Sequence, residues 1–293
     1  MNEAPKTLKR LGIFGNPEKT GAGDLIAEAV LLAEQSGCEV ILEETTSTLC
    51  DFTGRSTLSL RATADHSDLL LVLGGDGTML GAARSLAGCP TPLLGVNTGG
   101  LGFLTAIPGA QFTELWPGIL QGLYRLEHRP LIGASGMGGG TEIRQKALND
   151  FVISGGAASR LIELEVSVNG EVMTHYRCDG LIIASPTGST AYSLAAGGAI
   201  IAPEADVLTL TPICPHTLSN RSVIVRMDAE VGVRVLTKKL EVYLTADGQV
   251  QHPMTQGDEV VISRAKESVT FARLPTSSFF TTLRQKLNWR GQP

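Results

Sequence analysis

The stretch LVLGGDGTML, residues 71–80, sets an apolar run directly against Gly74-Gly75-Asp76-Gly77-Thr78 and then against a helical pattern. Glycines let a backbone approach an anion closely, and a helix start offers unpaired N–H groups and the positive end of its dipole. A carboxylate there can take a hydroxyl proton or face a magnesium ion carried by phosphates. This spacing points to phosphoryl chemistry, with Asp76 at the reacting edge and Gly74, Gly75 and Thr78 around the phosphates. The run NTGGLGFL, residues 97–104, follows the next apolar segment. Asn97, Gly99, Gly100 and Phe103 are therefore expected at the same carboxyl edge of a sheet, where α/β folds bind ligands. Taken alone, the glycines also suit a sharp turn and Asp76 a helix cap.

Two further segments offer polar chemistry. Asn149-Asp150 sets an amide beside a carboxylate, able to read an adenine edge and ribose hydroxyls, although an isolated pair of this kind also suits a turn. DGLIIASPTGSTAYSLAAGG, residues 179–198, reads as a strand, a hydroxyl-rich turn and a helix opening, a surface that binds a nucleotide without net positive charge. The cluster Gly136, Gly138, Gly139 and Gly140 lacks a lysine and a following helical pattern, and reads as a flexible loop. His216, without ligand partners, reads as a hydrogen-bonded structural residue, and His66, His128, His175 and His252 show no metal-ligand spacing. The five cysteines form no C-x-x-C pair and read as buried small hydrophobes of a reduced compartment.

The elements that must position these residues divide the chain in two. With 293 residues there is room for two cores, and 43% hydrophobic with 18% charged residues is ordinary for a globular protein. A net charge of -5 without a lysine or arginine run gives no footprint for nucleic acid or an anionic membrane. No signal peptide or spanning stretch is evident, and a cytoplasmic location is expected. Strands are predicted at 11–14, 40–42, 69–73 and 92–96, with helices at 24–35, 78–86 and 111–123, the last containing Pro117. This alternation argues for a parallel sheet. From residue 124 the pattern turns β-rich, with strands at 161–168, 172–176, 181–184, 207–211, 231–236, 240–245 and 259–263, an Asn169-Gly170 hairpin turn and a helix at 279–289. The expected division is an α/β phosphate-loop domain at 1–123, a β-rich domain at 124–275, and a C-terminal helix at 276–293 returning toward the first.

GGDGT alone is shared by diacylglycerol, sphingosine and phosphofructo-type kinases. In order with NTGGLGFL, LND and DGLIIASPTGSTAYSLAAGG, it makes the chain resemble the bacterial-type NAD kinases across nearly its whole length. The resemblance implies an N-terminal Rossmann-like α/β domain of the diacylglycerol kinase and phosphofructokinase kind, a β-rich C-terminal domain and a closing helix. It implies transfer of a phosphoryl group from ATP, or from polyphosphate, to the 2′-hydroxyl of the adenosine ribose of NAD, giving NADP. A divalent cation, Mg2+ with no ligands assigned, and a homodimer or homotetramer come with it. Carried onto these positions, Asp76 is the general base and Gly77 lies beside the dinucleotide. Asn149 and Asp150 contact its adenosine; Asp150 stands where many relatives have the longer Glu, so contact needs a closer approach or a bridging water. Asp179 matches a carboxylate that reaches a neighbouring subunit's site. Thr190, Ala191, Tyr192, Ser193, Leu194 and Ala195 border the two nucleosides, and Arg160, Arg177 and Gln249 fall at positions of dinucleotide contact. A lipid kinase and a catalytically silent NAD(P) sensor stay open. The first needs an apolar acceptor pocket where this chain has hydroxyls, and the second has no use for Asp76.

Overall fold

A computed structural model describes residues 7–15, 21–49, 52, 57–100, 102–105, 107–156, 161–216, 220–238 and 241–289. The chain forms two compact units, Met1–His128 with Ser268–Pro293, and Arg129–Glu267.

The first unit is built on parallel strands in the order Thr57–Leu58, Glu39–Glu43, Arg10–Gly15, Leu69–Leu73, Leu93–Asn97, with Ile107–Pro108 beside the last and Phe271 paired to Leu93. Leu69–Leu73 is central, and all five of its apolar side chains are buried, as a parallel strand covered on both faces requires. Helix Ala22–Gln35 turns Leu25, Ile26, Ala29, Val30 and Ala33 inward, where they join Phe112 and Trp116 of helix Phe112–Leu120. Two helices that periodicity does not predict, Glu44–Leu49 and Leu60–Asp65, each span six residues. The hydroxyl-rich first of these has low intrinsic helix propensity. It is held from outside: Glu43 Oε2 accepts from the Thr46 N–H and hydroxyl, and Thr46 Oγ1 accepts from the Gly15 N–H at 2.9 Å. The helix Phe279–Lys286 belongs to this unit and stops short of the predicted 289.

The second unit contains a six-stranded sheet in the order Val223–Arg226, Val207–Ile213, Gly180–Ala184, Asp150–Gly155, Val242–Ala246, Val250–Met254. Its apolar side chains, among them Phe151, Ile153, Leu181, Leu210 and Leu244, pack with Leu164, Val166, Val233 and Val260 from antiparallel strands Ile162–Val168, Val231–Val235 and Glu259–Arg273. Alternation does the sorting: Ile162, Leu164 and Val166 are buried and Glu163 is exposed. Asn169 and Gly170 take φ of 52° and 81° and close the hairpin between Ile162–Val168 and Glu171–Cys178.

Three sequence expectations are corrected here. The glycine cluster is not a flexible loop but the hairpin turn between strands Arg125–Gly138 and Thr141–Ala147, with Gly139 and Gly140 at φ 56° and 81° and the Gly139 N–H donating to Asp258. The strand starting at Glu259 runs to Arg273: Arg264, Lys266 and Ser268 fall on exposed alternate positions, and Val269–Arg273 are all buried. Cys38, Cys89 and Cys178 are buried, with burial pushing the Cys38 and Cys178 thiols up to about 11, but Cys214 is exposed. Among the described residues no helix is long and apolar enough to cross a membrane.

Candidate active site

In the first unit, strand Leu69–Leu73 delivers the chain to Gly74 and Gly75, and helix Asp76–Ser85 begins at once. Gly74 cannot carry a side chain in place, since a Cβ there would lie 2.4 Å from Thr78 Oγ1. Gly75 and Gly100 are different: nothing lies within 4 Å of a Cβ at either, so their bare backbones face open space. The Thr78 hydroxyl is buried and has no hydrogen-bond partner among the described residues. A buried hydroxyl without a partner is costly, and here it lies beside the loop where an anion would sit.

Asp76 is the centre of this arrangement. Its Oδ2 accepts from the Phe103 N–H at 2.9 Å, and its Oδ1 from the Leu104 and Thr105 N–H groups at 3.0 and 3.4 Å. A carboxylate has about four acceptor directions, so these three bonds leave one for a hydroxyl of a bound molecule. Gly102 makes the approach possible, because a Cβ there would stand 1.9 Å from Asp76 Oδ1. Asn97 shapes the same turn from inside: its Nδ2 donates to Gly100 O and Thr105 Oγ1, and its Oδ1 accepts from the Gly99 N–H. The Asn97 amide is thus spent on the loop, and its contribution to any ligand is made through loop shape. Gly77 is exposed at the helix start, and Phe103 is half-buried, its ring 6.3 Å from that of Phe279.

In the second unit, Asn149 and Asp150 stand at one end of the six-stranded sheet. The turn Asp247–Gln249 joins the paired residues Ala246 and Val250, with Asp247 and Gly248 at φ 50° and 66°. Asp247 points its carboxylate at the segment before it in space: Oδ2 accepts from the Leu148 N–H, and Oδ1 from the Asn149 and Asp150 N–H groups, at 3.1, 2.8 and 3.3 Å. Gln249 is exposed on this turn, whose Asp247 N–H donates to Asp150 O. Asp150 is buried, and that burial, together with the Asp247 charge, pushes its carboxyl up to about 7. Asp150 is therefore partly protonated near neutrality, able to donate as well as accept.

The hydroxyl-rich segment meets the same place. Ser185 donates to Leu148 O and its N–H donates to Asn149 O, while a Cβ at Gly188 would lie 2.1 Å from Asn149 O. Arg129, buried on its own strand, donates to Thr187 Oγ1 at 3.0 Å. Ser193 is fully buried and shares a hydroxyl chain with Thr211 and Ser222 that fixes the short helix Tyr192–Ala195. Thr190, Ala191 and Leu194 are half-buried, and Tyr192 and Ala195 are exposed.

Not all expected residues gather there. Ala184 pairs with Asp150 and Gly180 with Ser154, so Asp179, just ahead of Gly180, lies at the far end of that strand. Five residues of strand separate Asp179 from Ala184, about 17 Å at the usual rise. Arg177 lies on another strand, Glu171–Cys178, exposed and paired with Glu163 at 3.1 Å. Arg160 lies outside the described residues.

Residues 11–124 match the family model of the ATP-NAD kinase N-terminal domain, and residues 148–274 that of the ATP-NAD kinase C-terminal domain. An NAD kinase of Geobacter metallireducens is 38% identical over 96% of this chain and 99% of its own. The chain belongs to the NAD kinase family. An NAD kinase of Symbiobacterium thermophilum is 46% identical over 75% of this chain and 78% of its own. A yeast NADH kinase complexed with NADH shares the fold at 23% identity and a TM-score of 0.87, covering 98% of this chain and 90% of that one. An NAD kinase from Archaeoglobus fulgidus in complex with ATP has 25% identity and a TM-score of 0.75, covering 96% of this chain and all of that one.

For an NAD kinase, sequence reasoning passes over Gly102, Thr105, Arg129 and Asp247. Gly102 lies inside a motif already visible, and Asp247-Gly248 is a turn-prone pair at the end of an apolar alternation. What these residues touch, at separations of 26 residues for Gly102 with Asp76 and about a hundred for Asp247 with Leu148, has no local signature.

Proposed function

We propose that this NAD kinase transfers the terminal phosphoryl group of ATP to the 2′-hydroxyl of the NAD adenosine ribose, with Asp76 receiving the hydroxyl proton. The observation that carries the reading is the Asp76 carboxylate, held by three backbone N–H groups with one acceptor direction remaining. Holding a base in one orientation lowers the barrier because alignment is settled before reaction, and phosphoryl transfer depends mainly on such alignment. Open space over Gly75 and Gly100 and the buried Thr78 hydroxyl support a phosphate seat. Asn149 and Asp150, their amides set by Asp247, support recognition of the adenosine, with Thr190, Ala191, Tyr192, Leu194, Ala195 and Gln249 around it. Ser193 acts from beneath through its hydroxyl chain.

Among the described residues there is no group of three or more His, Cys, Asp or Glu side chains able to cage a metal ion. These residues fit a Mg2+ that arrives on the donor phosphates and keeps its waters, in the usual manner of that ion. When bound, it offsets charge on the transferring oxygens. We further propose a cytoplasmic homo-oligomer in which Asp179 and Arg177 serve a neighbouring subunit's site.

Purified protein with NAD, ATP and Mg2+ is expected to form NADP, and Asp76→Asn to bind NAD while losing about 10²–10⁴-fold in kcat, the usual range for a general base. Near-normal turnover in a folded Asp76→Asn variant removes Asp76 from the chemistry. A parallel reaction with polyphosphate as donor fixes the donor range.

A further inference from the structure

Arg273, the last residue of strand Glu259–Arg273, is 6% exposed. Its Nη2 donates to Phe103 O at 3.0 Å and its Nη1 to Leu104 O at 3.0 Å. Its Nε donates to Glu127 Oε2 at 3.2 Å, an ion pair whose side chains are 7% and 16% exposed. All of these residues belong to the first unit.

The two carbonyls are not arbitrary. Phe103 O and the Leu104 N–H are opposite ends of one peptide plane, and Leu104 O and the Thr105 N–H of the next. Both N–H groups donate to Asp76 Oδ1. Two consecutive peptide dipoles are therefore clamped between a guanidinium at their oxygen ends and a carboxylate at their N–H ends. Each charge polarises the peptide toward the other, which strengthens both sets of hydrogen bonds. The guanidinium fork suits two adjacent carbonyls, whereas a lysine ammonium is a point donor. Burying a charge pair is seldom the cheapest way to stabilise a fold, so this pair is better explained by what it orients.

We propose that Arg273, charge-balanced by Glu127, is a positioning residue for phosphoryl transfer, clamping the Phe103–Thr105 peptides that hold the Asp76 carboxylate. In this role it acts through those peptides and not on the substrate. The proposal rests on the reading of Asp76 as the base.

The test is a double-mutant cycle in the full-length chain with Arg273→Lys, Asp76→Asn and the combination, reading kcat, KM for ATP and the Kd of NAD. Arg273→Lys is expected to lower kcat by about 10–100-fold, as displacement of a reacting group by an ångström can, while NAD Kd stays within about twofold. In the Asp76→Asn background, the same change is expected to cost little more, since there is no base left to position. A merely structural arginine would lower the melting temperature and act multiplicatively in both backgrounds. Wild-type kcat in Arg273→Lys, or full multiplicativity, overturns the clamp. If Asp76→Asn itself keeps normal turnover, the base reading fails instead, a distinguishable result. Should Arg273→Lys not fold, hydrogen exchange on the wild-type chain decides: the Leu104 and Thr105 amides are expected to exchange only through global unfolding. Exchange as fast as the turn amides of Gly140 and Gly170 overturns the proposal.

Discussion

Replacing Gly102 by alanine adds one methyl group to the chain and places it 1.9 Å from Asp76 Oδ1 and 2.5 Å from its Cγ. Ordinary contact begins at 3.4 Å, so the carboxylate has to retreat by 1.5 Å, the difference between those distances, unless the turn itself moves. Either way the Oδ1 bonds to the Leu104 and Thr105 N–H groups, now 3.0 and 3.4 Å, pass beyond hydrogen-bonding range. Hydrogen bonds to a charged group contribute about 1.5–3 kcal/mol each, and partial relaxation leaves an expected loss of about 2–4 kcal/mol. For a unit of this size that lowers the melting temperature by roughly 4–16 °C. Turnover falls further, by about 10²-fold, because the base has left its line with the acceptor hydroxyl. Steady-state NADP formation and calorimetry measure the two effects. Gly100→Ala is the control: nothing lies within 4 Å of its Cβ, so stability is expected to hold while substrate KM rises. Wild-type kcat together with wild-type melting in Gly102→Ala refutes the geometry on which Asp76 depends.

Burial and the Asp247 charge raise the Asp150 carboxyl from an ordinary 3.8 to about 7, so the folded state holds this proton more tightly than the unfolded chain. The resulting contribution to stability is complete below about pH 4 and is lost as pH rises through about 7; in Asp150→Asn the urea midpoint is expected to fall less over that window, and superimposable profiles count against the shift. Asp247→Asn gives up a charged acceptor for the Leu148, Asn149 and Asp150 amides and is expected to weaken NAD binding about tenfold by titration calorimetry, with unchanged affinity ruling out the support role. Because Asp179 stands about 17 Å along its strand from Asp150, its service to a site is expected to cross subunits. Mixing inactive Asp76→Asn and Asp179→Ala chains is then expected to restore about a quarter of the wild-type sites, one per mixed dimer at equal random mixing. No recovery in mixed oligomers verified by native mass spectrometry would refute this.

Local patterns carried a good deal of this. The strand 69–73 was legible residue for residue because Asp68 before it and Gly74-Gly75 after it bound an apolar run too short for a helix. Asn169-Gly170 was legible as a turn because few residue pairs tolerate two positive φ values. The phosphate loop was legible because a strand, glycines, a carboxylate and a helix follow one another within ten residues. Strands such as Thr141–Ala147 and Val250–Met254 were not legible, since their polar sides face outward and their apolar sides are few. The six-residue helix Glu44–Leu49 was invisible to periodicity because outside contacts, not propensity, hold it.

Sequence by itself determined the family, the order of its motifs and the residue types available for phosphoryl transfer, since these depend only on composition and near-neighbour spacing. Tertiary structure alone decided that Asp76 spends three of its acceptor directions on one turn and that Gly102 is the opening that admits it. It also decided that Asp247 sets Asn149 and Asp150, and that Arg273 grips the far side of the peptides Asp76 holds. Hydrogen bonds act over about 3 Å of space without regard to separation along the chain, so their partners are settled by how strands and turns pack.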